Sequence, residues 1–116
     1  TDTKGVKMGR YLATIDGTTE AFKGFINNPE DRKSSNEPLF KSLGFNLEHY
    51  WVGVGESRLY IVFTAPDNDV DIQALVMAIC ASGIVHSMNI SRIMTAEEAK
   101  SSMEKAQAIL YSPPGN

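Results

Sequence analysis

Apolar and polar positions alternate most clearly between Phe45 and Asp67, FNLEHYWVGVGESRLYIVFTAPD. Two runs rich in aromatic and β-branched residues, Phe45–Val52 and Arg58–Thr64, flank Gly53-Val54-Gly55-Glu56-Ser57. The pattern predicts a β-hairpin closed by a short loop with two glycines. Ala65-Pro66-Asp67 ends the second strand, because proline has no amide proton to give to a ladder.

The same periodicities organise the rest of the chain. Arg10–Ile15 alternates and reads as a first strand. Asp16-Gly17-Thr18-Thr19 is a turn that can supply a helix cap, and Ala21, Phe22, Phe25 and Ile26 then fall at helical spacing. Asn27-Asn28-Pro29 and Pro38 interrupt that helix, so Thr19–Leu43 reads as a long, broken crossover. A second helical piece is expected to start at Pro29, and Gly44 to cap the last one. Asp69–Ser82 is the strongest helix, with Val70, Ala74, Leu75, Ala78 and Ile79 on one face, acidic residues in its first turn, and Gly83 closing it. Ile84–Met94 is the fourth strand. Thr95-Ala96-Glu97-Glu98 is a capping box that opens a last helix to about Ile109.

This order, β-α-β-β-α-β plus a C-terminal helix, predicts an α+β fold: a ferredoxin-like antiparallel sheet with its helices on one face. The hairpin strands carry large side chains on both faces. Leu47, His49 and Trp51 alternate with Glu48, Tyr50 and Val52. A sheet with apolar groups on both faces needs a second cover, and in a short chain the simplest is another copy of itself. A homodimer packed sheet against sheet is therefore expected, with assembly beyond the dimer left open. Residues 9–110 form a single expected domain, with 1–8 and 111–116 as flexible termini.

Composition narrows the function classes. The chain has 116 residues, 42% hydrophobic and 22% charged, as in ordinary globular domains. A net charge of −3 and the lack of a basic run with interleaved aromatics argue against nucleic-acid binding. Cys80, the one cysteine, excludes an internal disulfide and a cysteine-rich zinc site, and its apolar helical neighbours suggest an inert small hydrophobe. No apolar run is long enough to span a membrane, and the polar opening Thr1–Met8 has no signal-peptide core, so a cytoplasmic location is the default expectation.

The arrangement of pieces resembles the GYD domain family, a group within the dimeric α+β barrel superfamily. The resemblance rests on Tyr50-Trp51, Gly55-Glu56, Ala65-Pro66-Asp67, the Ala-rich helix ending at Gly83, and the Arg92 strand followed by Thr95-Ala96-Glu97-Glu98. It covers roughly Gly9 to Ala106 and implies a fold and a dimer rather than a chemistry. Arg32 sits where such chains often carry an arginine in the first crossover. The Tyr-Asp pair that gives the family its name falls at Ser57-Arg58 here, so any function of that pair is absent.

The candidate chemistry is sparse. His49, between Glu48 and Tyr50 in the second strand, has the ring to move a proton or orient a ligand near neutral pH, and Tyr60 or Arg92 has the group to hold an oxyanion. His49, Tyr60 and Arg92 are thus the catalytic candidates. His49, Trp51, Tyr50, Arg32 and His86 are the ligand-binding ones. Each also has a structural reading: a bonded histidine for His49, packing for Tyr50 and Trp51, and an ion pair with Glu48 or Glu56 for Arg92. No ligand spacing supports a metal site, and no motif calls for a cofactor. Two function classes follow. One is a non-catalytic dimer that binds a small apolar or aromatic molecule, or serves as an accessory to an enzyme. The other, which the superfamily resemblance implies, is a cofactor-independent isomerase or monooxygenase acting on a small aromatic, lactone or polyketide-like substrate. The two differ in whether His49 and a second polar group converge on one cavity.

Overall fold

The computed structural model describes residues 7–115, so most of the N-terminal stretch expected to be flexible, residues 1–8, lies outside the described residues. Along the chain run β1 (Met8–Gly17), α1 (Thr19–Asn27), α2 (Arg32–Ser42), β2 (Asn46–Val52), β3 (Arg58–Pro66), α3 (Asp69–Ala81), β4 (Val85–Ile93) and α4 (Ala96–Ala106). The strands form one antiparallel sheet in the order β2-β3-β1-β4, the ferredoxin-like α+β arrangement. All four expected strands are present, and β3 pairs antiparallel with β2 as the hairpin requires.

Local chemistry sets the boundaries. Thr18 caps α1 by accepting from the Ala21 amide, and Asn68 caps α3 by accepting from Val70 and Asp71. Gly44 and Gly83 follow their helices at φ +77° and +80°, where a side chain would be strained. The capping box at α4 is complete: the Glu98 amide donates to Thr95 Oγ1 and the Thr95 amide to Glu98 Oε1.

The broken crossover differs from expectation in two ways. Its second helix starts at Arg32, not Pro29, because Asp31 accepts from the Lys33 and Ser34 amides and so fixes the N-terminus. Pro38 does not interrupt it but lies within α2. Proline removes the amide that would donate to the Ser34 carbonyl, and the turn before it is reinforced by Asn36 Nδ2, which donates to the Arg32 carbonyl at 2.7 Å.

A further correction concerns β2. Leu47 pairs with Phe63 but His49 pairs with Val62, so a bulge at Glu48 shifts the alternation. Leu47 and Tyr50 therefore share the helix-covered face, and Glu48, His49 and Trp51 the open one. The expected grouping of Leu47 with His49 and Trp51 fails because one extra residue flips every side chain after it.

The core lies between sheet and helices and is centred on Phe63, which is fully buried. The rings of Tyr11, Phe40 and Phe45 surround it, with centroids at 5.4, 5.4 and 5.7 Å. Cys80 is exposed rather than packed, since α3 turns Leu75 inward and leaves Cys80, Val70 and Met77 facing out. No residue of α4 is buried. The radius of gyration is 17.7 Å, against about 13 Å for a compact chain of this length.

On the open face, Arg10 pairs with Glu48 at 2.8 Å and Arg58 with Asp16 at 2.8 Å. Hydrogen bonds from Arg58 and Ser87 lower the Asp16 pKa, and the bond from Arg10 lowers that of Glu48. Both carboxyls are more acidic folded than unfolded. Their contribution is therefore present above the ordinary values of 3.8 and 4.5 and is lost as pH falls through the lower folded ones. Urea midpoints are expected to hold from about pH 7 to about pH 5 and to fall below about pH 4. The double variant Asp16→Asn/Glu48→Gln should show a shallower acid drop; an unchanged drop would assign it to other carboxylates.

Candidate functional site

The helices do not fill the space above the sheet. A cavity of about 590 Å³ lies between them. Its floor is the covered face of the sheet, where Ala13, Ile15, Leu59 and Ile61 alternate inward. α2 supplies Leu39 and Phe40 on one side, and α3 supplies Ala74, Leu75, Ala78 and Ile79 on the other. The alanines recur at i and i+4 on the inward stripe of α3 and leave room where larger residues would meet the sheet. The volume is in the range of small-molecule sites.

Few polar groups reach this cavity: Arg32 and Asn36 from α2, Tyr50 from β2 and Ser82 at the end of α3. Arg32 and Asn36 are four residues apart and so share one helix face. Arg32 is held at two points. Its Nη1 donates to Glu30 Oε1 at 2.6 Å, and its guanidinium carbon lies 5.2 Å from the centre of the Phe25 ring. Its Nε is buried and makes no hydrogen bond among the described residues. Burial pushes the Tyr50 hydroxyl pKa up, while the neighbouring Arg32 guanidinium opposes the shift. The balance keeps Tyr50 protonated and able to donate at neutral pH. Tyr50 faces this cavity only because the bulge at Glu48 turns it there.

The three catalytic candidates are not brought together in one chain. His49 is exposed on the open face, its ring stacked on Trp51 with centroids 4.6 Å apart. Tyr60 pairs across from Trp51, and its hydroxyl donates to Glu56 at 2.5 Å. Arg92 lies on the helix side at the opposite edge strand, 5.8 Å from the centre of the Tyr11 ring and paired to Asp67 at 3.0 Å, not to Glu48 or Glu56. Three strand spacings, about 14 Å, separate β2 from β4. His86 is exposed at the start of β4, at a bulge opposite Asp16 and Gly17.

Of the five ligand-binding candidates, Arg32 and Tyr50 line the helix–sheet cavity, and His49 and Trp51 sit on the other face of the sheet. Asn36 is not singled out from sequence, and Ala74 and Ala78 are read there only as part of the apolar face of α3. Their signal was the inward spacing of a polar pair on α2 and of small residues on α3. Among the described residues no group of three or more His, Cys, Asp or Glu is placed to hold a metal, and no helix is long and apolar enough to cross a membrane.

Fold and cavity together define a ferredoxin-like α+β domain with an apolar cavity between its helices and sheet. The GYD domain family model matches residues 11–103, and the chain belongs to that family. No curated protein matches its sequence.

Proposed function

We propose that this protein binds a small apolar or aromatic molecule in the cavity between its helices and sheet, without catalysis. The observation that carries this reading is the composition of the cavity wall. It is built almost wholly from aliphatic and aromatic side chains, and none of His49, Tyr60, Arg92 or His86 lines it. Such a site gains affinity by taking apolar surface out of water and has few groups able to transfer a proton. We further propose that the protein works as a homodimer through the open face of its sheet. That face presents Trp51, 55% exposed, between the two ion pairs, and α4 is left without a buried residue.

The test fills the cavity. Ala78→Trp places an indole where the ligand body would lie. A neutral probe, 4-phenyl-1-butanol, is expected to bind the natural protein and to lose at least about tenfold in affinity in the variant, as loss of one well-packed apolar contact region predicts. Thermal stability should hold, because the indole enters open space; an overpacked site would instead lose about 1–3 kcal/mol. Binding that is absent in the natural protein, or unaltered in the variant, contradicts the reading.

A further inference from the structure

We infer that the cavity selects a monocarboxylic acid with an alkyl or aryl body, its head group held by Arg32 and Tyr50. The inference rests on the cavity reading above and adds the chemistry of the ligand. Among the described residues Arg32 is the one charged residue lining the cavity, and no carboxylate does. Its guanidinium is already oriented: Nη1 is tied to Glu30, and the plane is seated near the Phe25 ring. By covalent geometry Nε shares an edge with Nη2, and two parallel N–H groups on one edge match the two oxygens of a carboxylate. Nε is buried without a hydrogen-bond partner among the described residues. A buried donor left in this way is unfavourable, and turning the Nε–Nη2 edge onto a ligand oxygen removes the cost.

Tyr50 supports the same head group. Its hydroxyl stands beside Arg32 and stays protonated, so it can donate to an oxygen already held by the guanidinium. Asn36 spends one amide hydrogen on the Arg32 carbonyl, which fixes the turn that carries Arg32, and has a second to give. From this polar corner the remaining wall is apolar, running past Ile61 and Leu75 to Ala78 and Met88, except for Ser82, whose hydroxyl is spent on the Ile79 carbonyl. A cation would meet Arg32 with like charge. A ligand polar along its length would lose its hydration to a wall without partners.

The experiment compares matched acids and alcohols: 4-phenylbutyrate with 4-phenyl-1-butanol, and decanoate with 1-decanol, by titration calorimetry at neutral pH. The natural protein is expected to bind each acid roughly 10- to 100-fold more tightly than its alcohol, the size of a charge-assisted hydrogen bond. Arg32→Gln should remove that preference and bring each acid to within about twofold of its alcohol. Arg32→Lys keeps the charge but not the fork and should recover only part of it. Alcohols bound as tightly as acids, or a preference unmoved by both substitutions, overturn the carboxylate inference while leaving the cavity reading in place. Binding of neither alcohol overturns the cavity reading. Acids that then still bind in an Ala78→Trp variant would place Arg32 in a surface site and overturn both.

Discussion

Phe63→Ala is expected to cost about 3–5 kcal/mol of unfolding free energy, a large part of the total for a domain of this size. Phe63 is fully buried, and Tyr11 and Phe45 stack against it at interplanar angles of 22° and 15°. Phe40 of α2 meets it edge-on at 65°. One ring thus ties β1, β3, the α2 helix and the entry to β2. Its removal opens a void that joins the neighbouring cavity, which Phe63 also lines. The void therefore cannot close by a small shift of one side chain, which sets the cost at the upper part of the range. Equilibrium urea unfolding followed by circular dichroism checks this. Phe63→Leu, which keeps most of the volume, should lose much less, and equal losses in the two variants would mean that the aromatic cluster is not the core.

Trp51→Glu is expected to convert the proposed dimer to monomer at micromolar concentration, with little change in monomer folding. Trp51 is 55% exposed in the single chain, so the fold itself gains little from its burial. In a two-fold dimer each copy contributes the same residue, and both are replaced at once. An interface tryptophan typically contributes about 2 kcal/mol or more, so two amount to about 4 kcal/mol, or roughly a thousandfold in dissociation constant. A carboxylate brought into the contact adds a desolvation cost. Light scattering on a dilution series checks the prediction. A monomeric natural protein, or a variant that dimerises equally well, refutes sheet-to-sheet pairing.

The elements legible in the sequence were those fixed by neighbours in the chain. The hairpin follows from alternation and two glycines, of which Gly55 takes φ +83°. α4 follows from Thr95 and Glu98, whose reciprocal bonds span three residues. α3 follows from its apolar stripe and Gly83. Each of these causes acts over a few residues, so the sequence determines the element whatever surrounds it.

What only the tertiary structure decided involves partners far along the chain. The bulge at Glu48 depends on how β2 aligns with Val62 and Phe63, and on Arg10, 38 residues away, which holds the Glu48 carboxylate. Alternation alone cannot reveal an inserted residue, so His49 was grouped with Leu47, and Tyr50 with Glu48. Pro38 reads as a breaker from propensity, yet α2 continues through it because Asp31, Asn36 and the packing of Phe40 hold the turns on either side. The candidate site had no contiguous motif. Arg32, Tyr50, Ala78 and Met88 meet only when two helices and the sheet are assembled, and the space between them is set by small residues whose effect appears only across from their partners.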